Sequence, residues 1–132
     1  MTRHAVLDNE ALQAMADPHH RKHRTLTSLL VGSSYRARKG TRVLIQVPTA
    51  VRVEAGAPRS GVLGRYQVRD VALDSARADR AALLVRDEGA TAIDATVVEV
   101  ARSLGGLVTV YTSDVSDVPR LLADTDVAVW RT

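Results

Sequence analysis

Five acidic residues fall where an α/β chain would place chemistry: Asp8, Glu54, Asp94, Asp114 and Asp117. Asp8 closes the short apolar run AVLD, and Glu54 lies in TAVRVEAG, directly after the β-forming RVLIQVP. Asp94 opens DATVVEVARSLGG, Asp114 closes LVTVYTSD, and Asp117 follows three residues later. Carboxylates gathered in one crevice repel each other, and desolvation raises their pKa values, so a cation has to neutralise them. Hard divalent ions do so: Mg²⁺ and Mn²⁺ prefer carboxylate oxygen, and Mg²⁺ is held by one or two protein carboxylates plus water and substrate phosphate. In nucleases such ions polarise the phosphate, generate hydroxide and steady the leaving oxygen. That chemistry needs several Asp or Glu and no side-chain nucleophile, and this chain has no cysteine and no G-x-S-x-G. Each acid has a plainer reading on its own. Asp8, Asp94 and Asp117 suit helix N-caps and Glu54 a solvated helix face; the recurrence of an acid after several strands is what argues for a site.

The elements that must position these acids alternate. Residues 5–8 read as a strand and NEALQAMA as a helix; residues 20–39 read as a second helix with Leu26, Leu29 and Leu30 on one side and Gly40 as its stop. Residues 42–48 form a nearly continuous β-branched and aliphatic run, and Pro48 suits the first turn of a helix over 49–56. Residues 57–67, with two glycines and a proline, read as a loop. A strand over 68–74, a helix over 75–89 capped by Ser75, and a helix over 94–106 capped by Asp94 follow. A strand over 107–114, a short helix over 118–124 and a last strand over 126–130 complete the chain. Apolar strands without a polar face are parallel and covered by helices on both sides, so the expected fold class is α/β, a three-layer α/β/α sandwich with a central parallel sheet. In such sheets the functional crevice lies beyond the carboxyl ends of the strands.

At 132 residues the chain has the size of one domain, and we expect a single unit over 1–132. No apolar run approaches twenty residues and the start lacks a cleavage pattern, so a cytoplasmic protein without membrane association is expected. The net charge of +3 hides an asymmetry: residues 1–66 hold 11 Lys or Arg against 4 acids, residues 67–132 hold 7 against 11. The basic excess is concentrated in residues 19–42, which suits a polyanion as well as a solvated helical face. Tyr35, Tyr66, Tyr111 and Trp130 are the only aromatics, and a single one, Tyr35, falls within the basic run, so base stacking is poorly supported.

Phosphoacceptor receiver domains and haloacid-dehalogenase-type phosphatases also place acids at strand ends, but both need a late lysine, and the only lysines are Lys22 and Lys39. His19 and His23 in HHRKH stand one helical turn apart, yet no Glu lies between them as in a zinc protease, and a solvated basic helix start is the better reading.

VLDNEAL, PTAVRVEAG, ATAIDATVVEVAR and VTVYTSDVSDVPRL occur in the order and near the spacings of the PIN-domain ribonucleases, and the length resembles a VapC-type toxin of a type II toxin-antitoxin pair. The resemblance covers nearly the whole chain. It implies that Asp8, Glu54, Asp94 and Asp114 form the family's acidic quartet, that Asp117 is an additional acid, and that Thr112 is a hydroxyl residue near the substrate. It further implies a Mg²⁺- or Mn²⁺-dependent endoribonuclease acting on structured RNA such as tRNA, usually a homodimer, inhibited by a cognate VapB-type antitoxin. Asp8, Asp94 and Asp114 are then expected to bind metal, Glu54 and Asp117 to position water or a second ion, and Arg36, Arg38 and Lys39 to hold flanking phosphates. The departure is Glu10, where the family more often has a small hydroxyl residue; it either adds charge to the site or favours the positive end of its helix, and the second is preferred. The rival reading is a PIN-like module that binds RNA or protein without cutting.

Overall fold

The structure, a computed structural model, describes residues 2–36, 42–56 and 66–132; the side chains of residues 31–36 lie outside that description. The described elements are β1 (Thr2–Leu7), α1 (Asn9–Ala16), α2 (His23–Arg36), β2 (Arg42–Pro48), α3 (Thr49–Glu54), β3 (Val68–Val71), α4 (Ser75–Glu88), α5 (Ala92–Ser103), β4 (Leu107–Thr112), α6 (Asp117–Leu122) and β5 (Ala128–Arg131). All strand pairings are parallel, and the sheet runs in the order β3-β2-β1-β4-β5. The expected α/β class with a central parallel sheet is therefore what the chain forms.

Burial explains why β1 sits in the middle. Ala5, Val6 and Leu7 are all essentially inaccessible. Successive strand residues point to opposite faces, so both faces of β1 are covered. Helix α5 packs on β1, β2 and β4, while α1 meets β1 and β4 and α2 meets β2. The buried face of α5 is continuous over Ala95, Val97, Val98, Val100 and Ala101, as expected of a helix enclosed by sheet and neighbours. A polar exception in the core is Gln46, fully buried, whose Nε2 lies 3.0 Å from His4 Nδ1 across the β1–β2 pair.

Several boundaries differ from expectation, each for a local reason. The cap of α4 is Asp74, whose carboxylate accepts the Arg77 N–H at 2.9 Å, and Ser75 is the first helical residue. Gly89 ends that helix in the left-handed conformation at φ 71°, which a residue without Cβ adopts at no steric cost. The cap of α5 is Thr91, not Asp94. Strand β4 stops at Thr112 because the Thr112 hydroxyl accepts the Asp114 N–H, turning the chain out of the sheet. Helix α2 begins only at His23, so His19 lies in the preceding turn, and the His23 ring is bonded to the Ala14 carbonyl at 2.7 Å; the two histidines do not share one helix.

Candidate metal centre

The strand order reverses between β1 and β4: the chain first builds outward through β2 and β3, then returns to the other side of β1. A crevice opens at such a switch point because the two connections leave toward opposite faces of the sheet. Asp8 follows β1 and Asp114 lies two residues past β4, so both carboxylates stand at its mouth. Register fixes their relation. Leu7 pairs with Tyr111, and the Asp8 N–H continues the ladder to the Tyr111 carbonyl at 3.2 Å, which brings Asp8 beside Thr112.

The resulting cleft of about 470 Å³ is lined by Asp8, Asn9, Glu54, Thr91, Ala92, Ile93, Asp94, Ser113 and Asp114. Four of the five expected acids thus line one space, and the fifth joins them at its edge: carboxylate oxygens of Asp94, Asp114 and Asp117 all lie within 4.8 Å of one another. Asp8 stands slightly apart from that trio, 8% exposed, with its carboxylate accepting the Thr112 hydroxyl. Thr112 itself is fully buried. It braces two acids, donating to the Asp8 carboxylate and accepting the Asp114 N–H.

Each acid is set by local structure. Thr91 caps α5 by accepting the Asp94 N–H at 3.3 Å, the S/T-x-x-D pattern of a capping box, so Asp94 sits in the first turn with its carboxyl turned to the cleft. Asp114 is held by its own turn: Oδ1 accepts the Ser116 N–H at 3.0 Å and Oδ2 the Val118 N–H at 2.8 Å. Asp117 is the first residue of α6, and its carboxylate is 3.5 Å from the Arg120 guanidinium. Glu54 ends the six-residue helix α3 and accepts the Asn9 side-chain amide at 2.6 Å.

The electrostatics sort the acids. Burial pushes the Asp94 carboxyl above its ordinary value against a hydrogen bond from Thr91, and the charges of Asp114, Asp8 and Asp117 push it further. Burial likewise raises Asp8, outweighing the Thr112 hydrogen bond, with Glu54 adding its repulsion. For Asp114 burial also acts upward, but the hydrogen bonds from Ser116 and Val118 overcome it and hold the group below the usual carboxylate range. A pre-ionised acid beside two that resist ionisation is a donor set suited to a hard cation.

Glu10 stands beside this set, hydrogen-bonded to Ser113 of the cleft wall but tied chiefly to two cations. It pairs with Lys22 at 3.0 Å and approaches Arg21 at 3.8 Å. The Lys22 hydrogen bond is the main cause that holds its carboxyl down, against burial. It belongs to the first turn of α1, the preferred of its two sequence readings, and is not among the residues lining the cleft. Arg38 and Lys39 lie outside the described residues, as does the side chain of Arg36. Sequence reasoning missed Asn9, Thr91 and Ser113 as parts of the cleft. Thr91 carried a readable signal in its capping-box spacing; Asn9 and Ser113 carried none beyond adjacency to an acid.

No protein-family model and no curated protein sequence matches the chain. Among solved structures it is similar to Mycobacterium tuberculosis VapC20, a Sarcin-Ricin loop cleaving toxin, at 16% identity and a TM-score of 0.56, over 86% of this chain and 92% of that one. Across most of both chains the two share a fold, a parallel α/β sheet covered by helices.

Proposed function

We propose that the cleft is the active site of a Mg²⁺- or Mn²⁺-dependent endoribonuclease that hydrolyses phosphodiester bonds in structured RNA such as tRNA. The observation that carries this reading is the meeting of Asp94, Asp114 and Asp117 within 4.8 Å beside Asp8 and Glu54. The fold shared with an RNA-cleaving toxin supports it. Asp8, Asp94 and Asp114 hold the ion, directly or through water, and Asp117 and Glu54 orient the attacking water or hold a second ion. When bound, the ion supplies Lewis-acid polarisation of a phosphodiester and acidifies water. Thr112 keeps Asp8 aimed at the cleft, and the turn from Asp114 to Val118 keeps that carboxylate ionised. Arg36, Arg38 and Lys39 contribute positive charge for the flanking phosphates. The protein acts in the cytoplasm as a VapC-like toxin, one domain over 1–132, homodimeric and silenced by a cognate VapB-type antitoxin; no described helix is long and apolar enough to cross a membrane.

The test is incubation of the purified protein with total RNA and Mn²⁺. Fragmentation is expected from the wild type, and loss of it from Asp8→Asn and Asp94→Asn with circular dichroism unchanged. RNA left equally intact by all three identifies a non-catalytic RNA- or protein-binding module instead.

A further inference from the structure

Glu54 is the loosest member of the acidic set. It is exposed, at the end of a helix of six residues, and a glutamate side chain gives up up to about 2 kcal/mol of rotamer entropy when fixed. No cation among the described residues pairs with it: Arg52, two residues earlier, is bonded to Asp70 at 2.9 Å. What holds it is neutral. Asn9 Nδ2 donates to Glu54 Oε1 at 2.6 Å, and Gln13 Nε2 donates to Asn9 Oδ1 at 2.8 Å.

We propose that Asn9 is a positioning residue that aims Glu54 into the cleft, with Gln13 locking the Asn9 amide; this rests on the nuclease reading of that cleft. The chemistry of the relay leaves one orientation. An ionised carboxylate only accepts, so Asn9 must turn its NH₂ to Glu54, and its carbonyl oxygen then needs a donor, which the Gln13 amide supplies. Asn9 and Gln13 stand four apart on α1, the spacing that stacks side chains on one helix face. Because α1 starts directly after Asp8, the relay ties Glu54, 45 residues from Asn9, to the end of β1 where Asp8 stands. An amide also does this without adding charge. A lysine in that place would neutralise Glu54 and compete with a metal ion, as Lys22 neutralises Glu10 one residue further on.

The experiment is a double-mutant cycle on Mn²⁺-dependent cleavage of total RNA with Asn9→Ala, Glu54→Gln and the pair, with Gln13→Ala as the variant that spares the direct bond. Asn9→Ala is expected to slow cleavage about tenfold in the wild-type background and to do nothing further in Glu54→Gln, the non-additivity of residues in one network. Gln13→Ala is expected to slow it roughly two- to threefold by the same coupling. Equal losses from Asn9→Ala in both backgrounds overturn the proposal. Should the wild type cleave nothing, the nuclease reading falls while the relay is still decided: the Asn9 side-chain amide resonances in ¹⁵N spectra must shift in both Glu54→Gln and Gln13→Ala, and unmoved resonances overturn it.

Discussion

Thr112 couples Asp8 to Asp114 with a single hydroxyl, donating to the Asp8 carboxylate and accepting the Asp114 backbone N–H at 3.0 Å. The group is fully buried, so neither bond can be replaced by solvent without rearrangement. Parallel pairing of β1 with β4 sets the two acids side by side, and this hydroxyl fixes their aim.

Replacing Thr112 by Val keeps the shape and removes both bonds. Leaving buried polar groups unpaired costs about 1–3 kcal/mol. We expect Thr112→Val to lower the thermal midpoint and to reduce RNA cleavage at least roughly tenfold through misaimed groups. Thr112→Ser, which retains the hydroxyl, should stay close to wild type in both. A Val variant equal to wild type in melting and cleavage would show the bridge to be incidental.

Asp94 makes the metal-free protein less stable at neutral pH. Its folded pKa is raised, by burial first and then by its acidic neighbours, so the folded state holds the proton more tightly than the unfolded state. Stability from this group is therefore greatest below the ordinary carboxyl range and falls as pH rises through the raised folded value. Asp114 runs the other way. Its lowered pKa contributes stability above the ordinary range that is lost on acidification. In chelator-treated protein at pH 7, Asp94→Asn should melt a few degrees higher than wild type, and the difference should vanish below about pH 4. Saturating Mn²⁺ should reverse the ranking: a ligand at 100 times its dissociation constant adds about 2.7 kcal/mol to the wild type, and much less to Asp94→Asn. Scanning calorimetry across pH, with and without Mn²⁺, measures both signs.

The ion pairs of Glu99 belong to the scaffold. Glu99 is 4% exposed on α5 and takes Arg77 at 3.0 Å and Arg80 at 2.9 Å from α4. Breaking such a buried pair from the acid side leaves Arg77 uncompensated, so Glu99→Gln should cost about 3 kcal/mol in urea unfolding. Arg80 is 56% exposed, and Arg80→Ala should cost less than about 1 kcal/mol. A Glu99→Gln loss no larger than the Arg80→Ala loss would mean that the α4–α5 pair is held by its apolar contacts alone.

Glu10 offers a contrast with its neighbours in sequence. Its charge is neutralised by Lys22 and Arg21, and its contact with the cleft wall is a hydrogen bond with the neutral Ser113. Glu10→Ser should therefore change the Mn²⁺ affinity by less than about twofold while costing no more than about 1 kcal/mol, the usual value of a partly exposed pair. A large gain or loss of Mn²⁺ affinity would place Glu10 in the site after all.

The strands most visible in the sequence were those buried on both faces, such as RVLIQVP and LVTVYT, because continuous β-branched runs leave few alternatives. Caps were harder. Asp74 and Ser75 are adjacent and both suit an N-cap, and only backbone geometry chooses the first. At α5 the cap is Thr91, three residues ahead of Asp94. The acids themselves were legible because their chemistry is unusual at strand ends. Their partners were not: Asn9 and Glu54 are separated by 45 residues, and Thr112 and Asp8 by 104. Such bonds depend on the order in which strands enter the sheet, which local pattern does not encode.

We expect the crevice between β1 and β4 to bind a divalent cation through its acids. Diffraction from crystals soaked in Mn²⁺, with an anomalous difference map, tests it most directly. The expected result is a peak within roughly 2.0–2.4 Å of carboxylate oxygens of both Asp94 and Asp114, with Asp8 reaching it directly or through water, at an oxygen-ligand distance for such an ion. A cleft without a peak, at an Mn²⁺ concentration that supports RNA cleavage, contradicts it.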